Sequence, residues 1–373
     1  MKGNFYLLLS VCVFFACSTN DPIEVRDDMV SISLLDVEER SNSYNIKKIV
    51  PLETTPNNLM GMHLRIRQEE GELFIFDEDM EDAIHRFDAS GKYKEAVVLS
   101  GEGPDKVNNI YDFLVDGDTL EVLIGRGDHS VVVKVSLSTG TVLESPLGLL
   151  ADSFEKLENG NRIFYTGYNL PIAVYRLIEI GPNGEEANTY LKNEYTNQML
   201  PVLERNFQSR DGKVYFKEAF NSTVYSIESG GLQPRFDFDF GKYQIPSRFW
   251  EVDIMEGFNL INSSGFADIY QYMENENHAV FEIYIQDSTG VQNHQVLLDK
   301  RDHSISRRVF SNDENSIFYQ LVNLDSDDGL IFVTPASFLK NHAEKHVLDK
   351  DLQALVDQID KDDNPVLIYC SMD

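Results

Sequence analysis

Three kinds of side-chain grouping in this sequence could do chemistry. His342 and His346, in His-Ala-Glu-Lys-His, stand one helical turn apart. That spacing puts both imidazoles on one helix face, where they could hold zinc if a third ligand joined them. The order is not His-Glu-x-x-His, so the general base of a zinc protease is missing. A solvated helix start is the simpler reading. Asp77-Glu-Asp79, Asp325-Ser-Asp-Asp-Gly329 and Asp360-Lys-Asp-Asp363 loosely resemble calcium loops, but lack the spaced ligands and distal Glu of an EF-hand. They read more simply as acidic turns. Gly101-Glu-Gly-Pro104 has the look of a phosphate loop. Such a loop needs a helix N-terminus and usually Lys-Ser/Thr behind it, whereas strand-like sequence follows here. No Gly-x-Ser-x-Gly elbow occurs, and no Cys/His protease signature; Cys370 sits in an apolar strand-like run where burial is expected. No grouping amounts to a complete catalytic constellation.

The elements that must position these groups are hairpins. Gly71–Pro104 reads as three short strands, LFIF, AIHRF and YKEAVVL, joined by tight polar turns. Turns of the Asn-Gly and Asp-Gly kind, in which both central residues can take φ > 0, recur between apolar runs. With Gly71, Gly117, Gly160, Gly212, Asn277 and Gly329 as markers the steps are 46, 43, 52, 65 and 52 residues. A second turn follows most of them: Asp88–Gly91, Ser138–Gly140, Gly181–Gly184, Ser229–Gly231 and Asp287–Gly290. Four strands every 45–60 residues is the period of a propeller blade. The sixth unit lacks its outer strand, and Ile46–Leu52 is a strand without a unit. Pairing it with Val366–Cys370 would close the ring and remove the sheet edges. The predicted fold is therefore all-β: a six-bladed propeller with an N-terminal closing strand.

Two segments depart from the repeat. Residues 241–264 read as a loop with a short helix over about 246–258, carrying Trp250, the chain's one tryptophan, beside Phe249 and Phe258. Insertions of this kind collect on propeller faces, where binding usually happens, although these aromatics could simply pin the helix to the rim. Residues 340–361 carry a helical stripe at Leu348, Leu352, Leu355 and Ile359, stopped by Asn364-Pro365.

The amino terminus reads as a processing signal. Lys2 precedes an apolar stretch from Phe5 to Ala16, too short to span a bilayer. Phe14-Phe-Ala-Cys17 resembles a bacterial lipobox, which makes Cys17 the expected lipidation site. Residues 1–17 are then a signal peptide, 18–43 a tether with a short docked piece at Met29–Leu35, and 44–373 the propeller. With Cys12 removed and Cys17 lipidated, Cys370 is left without a partner, so an apolar core rather than disulfides must hold the fold. A net charge of −30, from 62 acidic and 32 basic residues, argues against nucleic acid and against docking on anionic lipid through a basic face.

Val50-Pro-Leu-Glu-Thr-Thr55, then LFIFD, then FDASGKY, and finally Asn364-Pro-Val-Leu-Ile-Tyr369, resemble the six-bladed β-propeller lipoproteins of Bacteroidota, which are NHL-like. The resemblance spans about residues 44–373. It implies the fold, export and lipid anchoring at the outer membrane, and no particular enzymatic activity. The usual basic tail is replaced by Cys370-Ser-Met-Asp373.

In a propeller the first strand of each blade lines the central channel. Those strands are expected near 63–67, 110–114, 154–157, 205–208, 268–272 and 319–323. They bring Arg65, Arg67, Asp112, Glu155, Lys156, Arg205, Asn206, Asp268, Tyr270 and Gln320 toward the axis. Arg65, Arg67, Asp112, Arg205, Asp268 and Tyr270, with Trp250 from the insertion, are the expected ligand-binding residues, with no catalytic or metal-ligating assignment. A water-filled plug of paired charges is the simpler reading of the same mixture. The expected function is a monomeric, lipid-anchored envelope protein that recognises a glycan, a peptide or a protein partner through a propeller face. It is expected to need no cofactor and to be more a binder than an enzyme. The alternative is a propeller hydrolase or lyase, of lactonase or sugar-lyase type, using a channel Ca2+.

Overall fold

Alternating apolar and polar residues, cut at short intervals by turn residues, produce short strands that each leave one face uncovered. The computed structural model shows how the chain covers them. It describes residues 23–26, 29–40, 44–103, 106–168, 173–193, 205–210, 212–228, 231–310, 316–325 and 329–371. The leader, Cys17 and Pro104 lie outside the described residues.

Six separate sheets follow one another along the chain, each meandering outward through antiparallel strands. Their first strands are Leu64–Glu69, Ile110–Asp116, Ser153–Lys156, Phe207–Arg210, Phe266–Glu274 and Gln320–Leu324. Each of the first five touches the first strand of the next blade, and Gln320 of the sixth hydrogen-bonds the backbone of Leu64 in the first. This is a six-bladed propeller, with its innermost strands within about two residues of their expected places. At the first hairpin, Glu70 and Gly71 both take positive φ, 48° and 79°. That is the local twist a two-residue hairpin needs.

Asn45–Pro51 closes the ring. It runs antiparallel to Val366–Ser371, pairing Ile49 with Ile368 and Val50 with Leu367. Upstream, Met29–Ser33 lies parallel to Gly231–Asp239 on the outer edge of the fourth blade. There it buries Val30 and Ile32, and Leu34 just beyond, among Phe236, Phe238 and Phe281. Glu39 then bridges Arg307 in the outer strand of the fifth blade. The segment before the closing strand thus crosses the outer edges of blades four and five. Apolar residues at alternate positions make Met29–Ser33 a strand, and the open edge of blade four gives it a place to pair.

The core lies in the gaps between blades, where aromatic rings interlock. Phe281 packs edge-on against Phe236 and Phe238, with centroids 5.0 and 4.9 Å apart. A buried ion pair also bridges two blades: Arg176 donates to Glu218 through Nε and Nη2 at 2.8 and 2.9 Å.

Both insertions differ from their expected outlines. In the first, 3-10 turns at Gly241–Tyr243 and Ser247–Trp250 precede a helix at Ile254–Ser264. The helix starts late because Asp253 caps it, its side chain accepting from the amides of Met255 and Glu256. In the second, the expected single helix is two, Ala336–Lys345 and Lys350–Val356. Asp349 caps the second in the same way, accepting from Asp351 and Leu352, and so restarts the helix instead of continuing it. No helix among the described residues is long and apolar enough to cross a membrane.

Candidate functional site: the axial channel

Arg65 and Arg67 lie two apart on the first strand of blade one, so both side chains leave the same face. Arg65 reaches the second blade. Its Nη1 donates to Asp112 Oδ1 at 2.7 Å and to the Tyr111 carbonyl at 2.8 Å, and its Nε donates to Glu78 Oε1 at 2.9 Å. Arg67 reaches further round, to Glu155 Oε2 of blade three at 3.3 Å and Asp112 at 3.7 Å. Asp112 also accepts the amide of Phe154, so one carboxylate ties three blades together. From the far side Arg205 donates to the Leu64 carbonyl at 2.6 Å and faces Glu78 at 3.5 Å.

Burial and pairing oppose one another throughout this cluster. Burial alone would raise Glu78, but Arg205 and Arg65 hold it below the usual carboxylate range. Burial raises Glu155, and Arg67 only partly offsets this. Burial pulls Arg205 down, with Glu78 working against it.

These pairs block the channel at mid-height, leaving a cavity on each side. Arg65, Arg205, Lys217 and Gln271 border both. The cavity on the side of the first hairpins, about 590 Å3, is lined by the later residues of the first strands, among them Arg67, Gln68, Glu155 and Arg210. The cavity on the opposite side, about 680 Å3, lies where the first strands begin. It takes Tyr111, Tyr270, Tyr284 and Tyr319, with Phe220, and the acids Glu78, Glu81, Asp268 and Glu282. Burial pushes the Glu282 carboxyl up to about 7, against hydrogen bonds from Tyr270 and Gln295.

Of the residues expected from sequence, Arg65, Arg67, Asp112 and Arg205 meet in the plug. Asp268, Tyr270 and Gln320 line the tyrosine-rich cavity, and Glu155 and Asn206 the other. Lys156 leaves the axis and pairs with Asp116 on the surface. Trp250 lines neither of these two cavities. Its ring packs on Tyr168 at 5.0 Å and on Phe249 at 4.8 Å, and Phe249 packs on Phe220, a wall residue, at 5.3 Å. Trp250 therefore stands two rings behind the wall.

Sequence reasoning read Glu78 only as part of an acidic turn and missed Lys217; both lie one residue past the ends of second strands, and Glu282 and Tyr284, on the long second strand of blade five, were missed too. Tyr111 and Tyr319 fell inside the expected first strands, and tyrosine at strand starts was the signal that could have found them. His342 and His346 stack with ring centroids 4.2 Å apart, and neither lines either axial cavity. Among the described residues no three His, Cys, Asp or Glu side chains are arranged to hold a metal ion. Cys370 is buried, which pushes its thiol up to about 12.

The fold and the blocked channel define a six-bladed β-propeller. The chain belongs to the DUF4934 family, a domain of unknown function, whose profile matches residues 39–371. Its structure is similar to that of a candidate exported protein of Bacteroides fragilis NCTC 9343, with a TM-score of 0.77 and 18% identity over 92% of this chain and 99% of that one. Weaker likenesses include a candidate glucose dehydrogenase-type oxidoreductase of Thermus thermophilus, with a TM-score of 0.41 and 11% identity over 88% of this chain and 100% of that one. Another is a protein of unknown function from Bacteroides caccae, with a TM-score of 0.39 and 12% identity over 67% and 94% of the two chains. No curated protein matches the sequence significantly.

Proposed function

We propose that this protein is an exported, lipid-anchored binding protein of the bacterial cell envelope, one of the NHL-like propeller lipoproteins. In this reading it works as a monomer at the outer membrane and recognises a glycan, peptide or protein partner through a propeller face. The observation that carries this is the plug. A channel blocked at mid-height has two blind cavities, each of the size that holds a small ligand or the end of a larger one. Export and anchoring rest on the short apolar leader and Phe-Phe-Ala-Cys17, with support from the similarity to a candidate exported Bacteroides protein.

The hydrolase or lyase alternative needs channel carboxylates turned toward a shared cation. Asp112 and Glu155 instead face Arg65 and Arg67, and those guanidiniums occupy the oxygens a Ca2+ would need. Binding is therefore the better-supported role. Titrating the purified mature protein against envelope glycans, peptides and co-purifying proteins tests it. Saturable binding without consumption of the ligand is expected; turnover without stable binding would overturn it. Labelled palmitate fed to expressing cells should mark the wild type and not Cys17→Ala.

A further inference from the structure

The two cavities are not chemically alike, and the departures from the blade repeat gather at one of them. Tyr111, Tyr270, Tyr284 and Tyr319 each line the cavity of about 680 Å3 and are each only half-buried. Three of the rings are also fixed from behind. Tyr319 packs edge-on against Phe338 of the C-terminal helical insertion at 5.4 Å. Tyr284 packs on Phe266 at 5.7 Å, within the aromatic cluster that holds the 241–264 insertion. Tyr111 lies over Gly125, where any Cβ would overlap its hydroxyl. Both insertions and one glycine thus serve the placement of tyrosines at one mouth.

Two of the acids between the rings are already engaged. Glu78 is shared by Arg65 and Arg205, and Asp268 accepts the Phe220 amide. An anionic ligand would compete with Glu78 for the arginines and approach Asp268. A cationic one would meet the arginines themselves. A neutral polyhydroxylated ligand meets neither cost. Its hydroxyls can accept from guanidinium and donate to carboxylate at the same time, while its C–H faces lie on aromatic rings.

From this geometry we infer that the tyrosine-lined mouth is a subsite for a neutral saccharide. The inference rests on the reading that the propeller binds through a face, and it adds which face and which ligand class. Tyrosine suits the task because its rigid ring offers contact area with little loss of side-chain freedom. A peptide end would bring a net charge that this wall does not complement.

The test is calorimetric titration and saturation-transfer NMR of the mature protein with cellobiose, lactose, maltotriose and diacetylchitobiose, beside acidic sugars and short peptides. At least one neutral sugar should bind. Its affinity should fall about tenfold in Tyr284→Ala and Tyr319→Ala, the loss of one aromatic contact. Tyr319→Phe should retain most of the binding, which guards against misfolding as the cause. Gln68→Ala, at the opposite mouth, should leave it unchanged, and so should raised salt, because the ligand carries no charge. Salt-sensitive binding of a peptide or acidic sugar at this mouth would overturn the ligand class and leave the binding role standing. Binding lost in Gln68→Ala but kept in the tyrosine variants would overturn the choice of face. Failure of every sugar to bind would overturn the saccharide subsite and leave the binding role to its own test against co-purifying proteins.

Discussion

The Arg65 guanidinium and the Asp112 carboxylate meet 2.7 Å apart, from neighbouring blades, with only 3% of the Asp112 side chain exposed. Together with Glu78 and Arg205 they turn the axis of the propeller from a pore into a partition. Charges this enclosed depend on one another: removing one partner leaves the others desolvated and unpaired. Arg65→Met should therefore cost about 3–5 kcal/mol in urea unfolding. Arg126→Ala breaks a pair with Glu144 in which the two side chains are 49% and 46% exposed. It should cost less than about 1 kcal/mol. Similar losses in the two variants would mean that the channel pairs are hydrated and do not partition the axis.

Two glycines with positive φ separate backbone strain from ring closure. Gly117, at φ 55°, has open space where a Cβ would go. Gly117→Ala should cost about 1 kcal/mol, for left-handed backbone alone. Gly91, at φ 83°, lies against the closing strand, where a Cβ would overlap the Pro51 carbonyl, and its own carbonyl accepts the Glu53 amide at 2.8 Å. Gly91→Ala should cost about 2–4 kcal/mol, since the closing strand must also move. Equal melting shifts would show that the strand is not held there.

The closing strand itself should matter to solubility as well as to stability. Ile49 is 4% exposed and packs with Ile368 and Phe332. Ile49→Ala should cost about 2–4 kcal/mol by cavity formation. Deleting residues 44–52 would leave Val366–Ser371 as a bare edge, and size-exclusion chromatography should then show self-association.

Glu282 gives the molecule a pH dependence of known sign. Its carboxyl is raised from 4.5 to about 7, mainly by burial. Between those values the folded chain holds a proton that the unfolded chain has released. Stability is therefore greatest below about pH 4.5 as far as this group is concerned, and falls as pH rises toward 7. Glu282→Gln keeps the neutral form at every pH. It should flatten the profile and gain at most about 3 kcal/mol over wild type at pH 8, with little difference at pH 4. A wild-type profile that rises from pH 5 to 8 and is unchanged by the substitution would contradict the burial of a neutral Glu282.

The blades were legible because their signals are local. Glu70-Gly71 can turn a hairpin without reference to the rest of the chain, and strand alternation puts Arg65 and Arg67 on one face whatever that face meets. Even ring closure could be inferred, because Ile46–Leu52 and the incomplete sixth unit were the two remainders of one count. The break between the C-terminal helices was also local, since Asp349 is a capping residue. The apolar stripe from Leu348 to Ile359 suggests one continuous helix, because periodicity alone carries no sign of where a helix restarts.

Sequence by itself thus determined the number of blades, the inner strands and the identity of most charges near the axis. Only the tertiary structure decided what those charges do. Arg205 and Glu78 are 127 residues apart, and they meet only because closing the ring brings the first and fourth blades to the same axis. The same closure separates one channel into two unlike cavities and moves Trp250 from the expected wall to a position behind it. Hairpins are encoded within a few residues, whereas the pairing of ions and rings across a channel depends on every blade being in place.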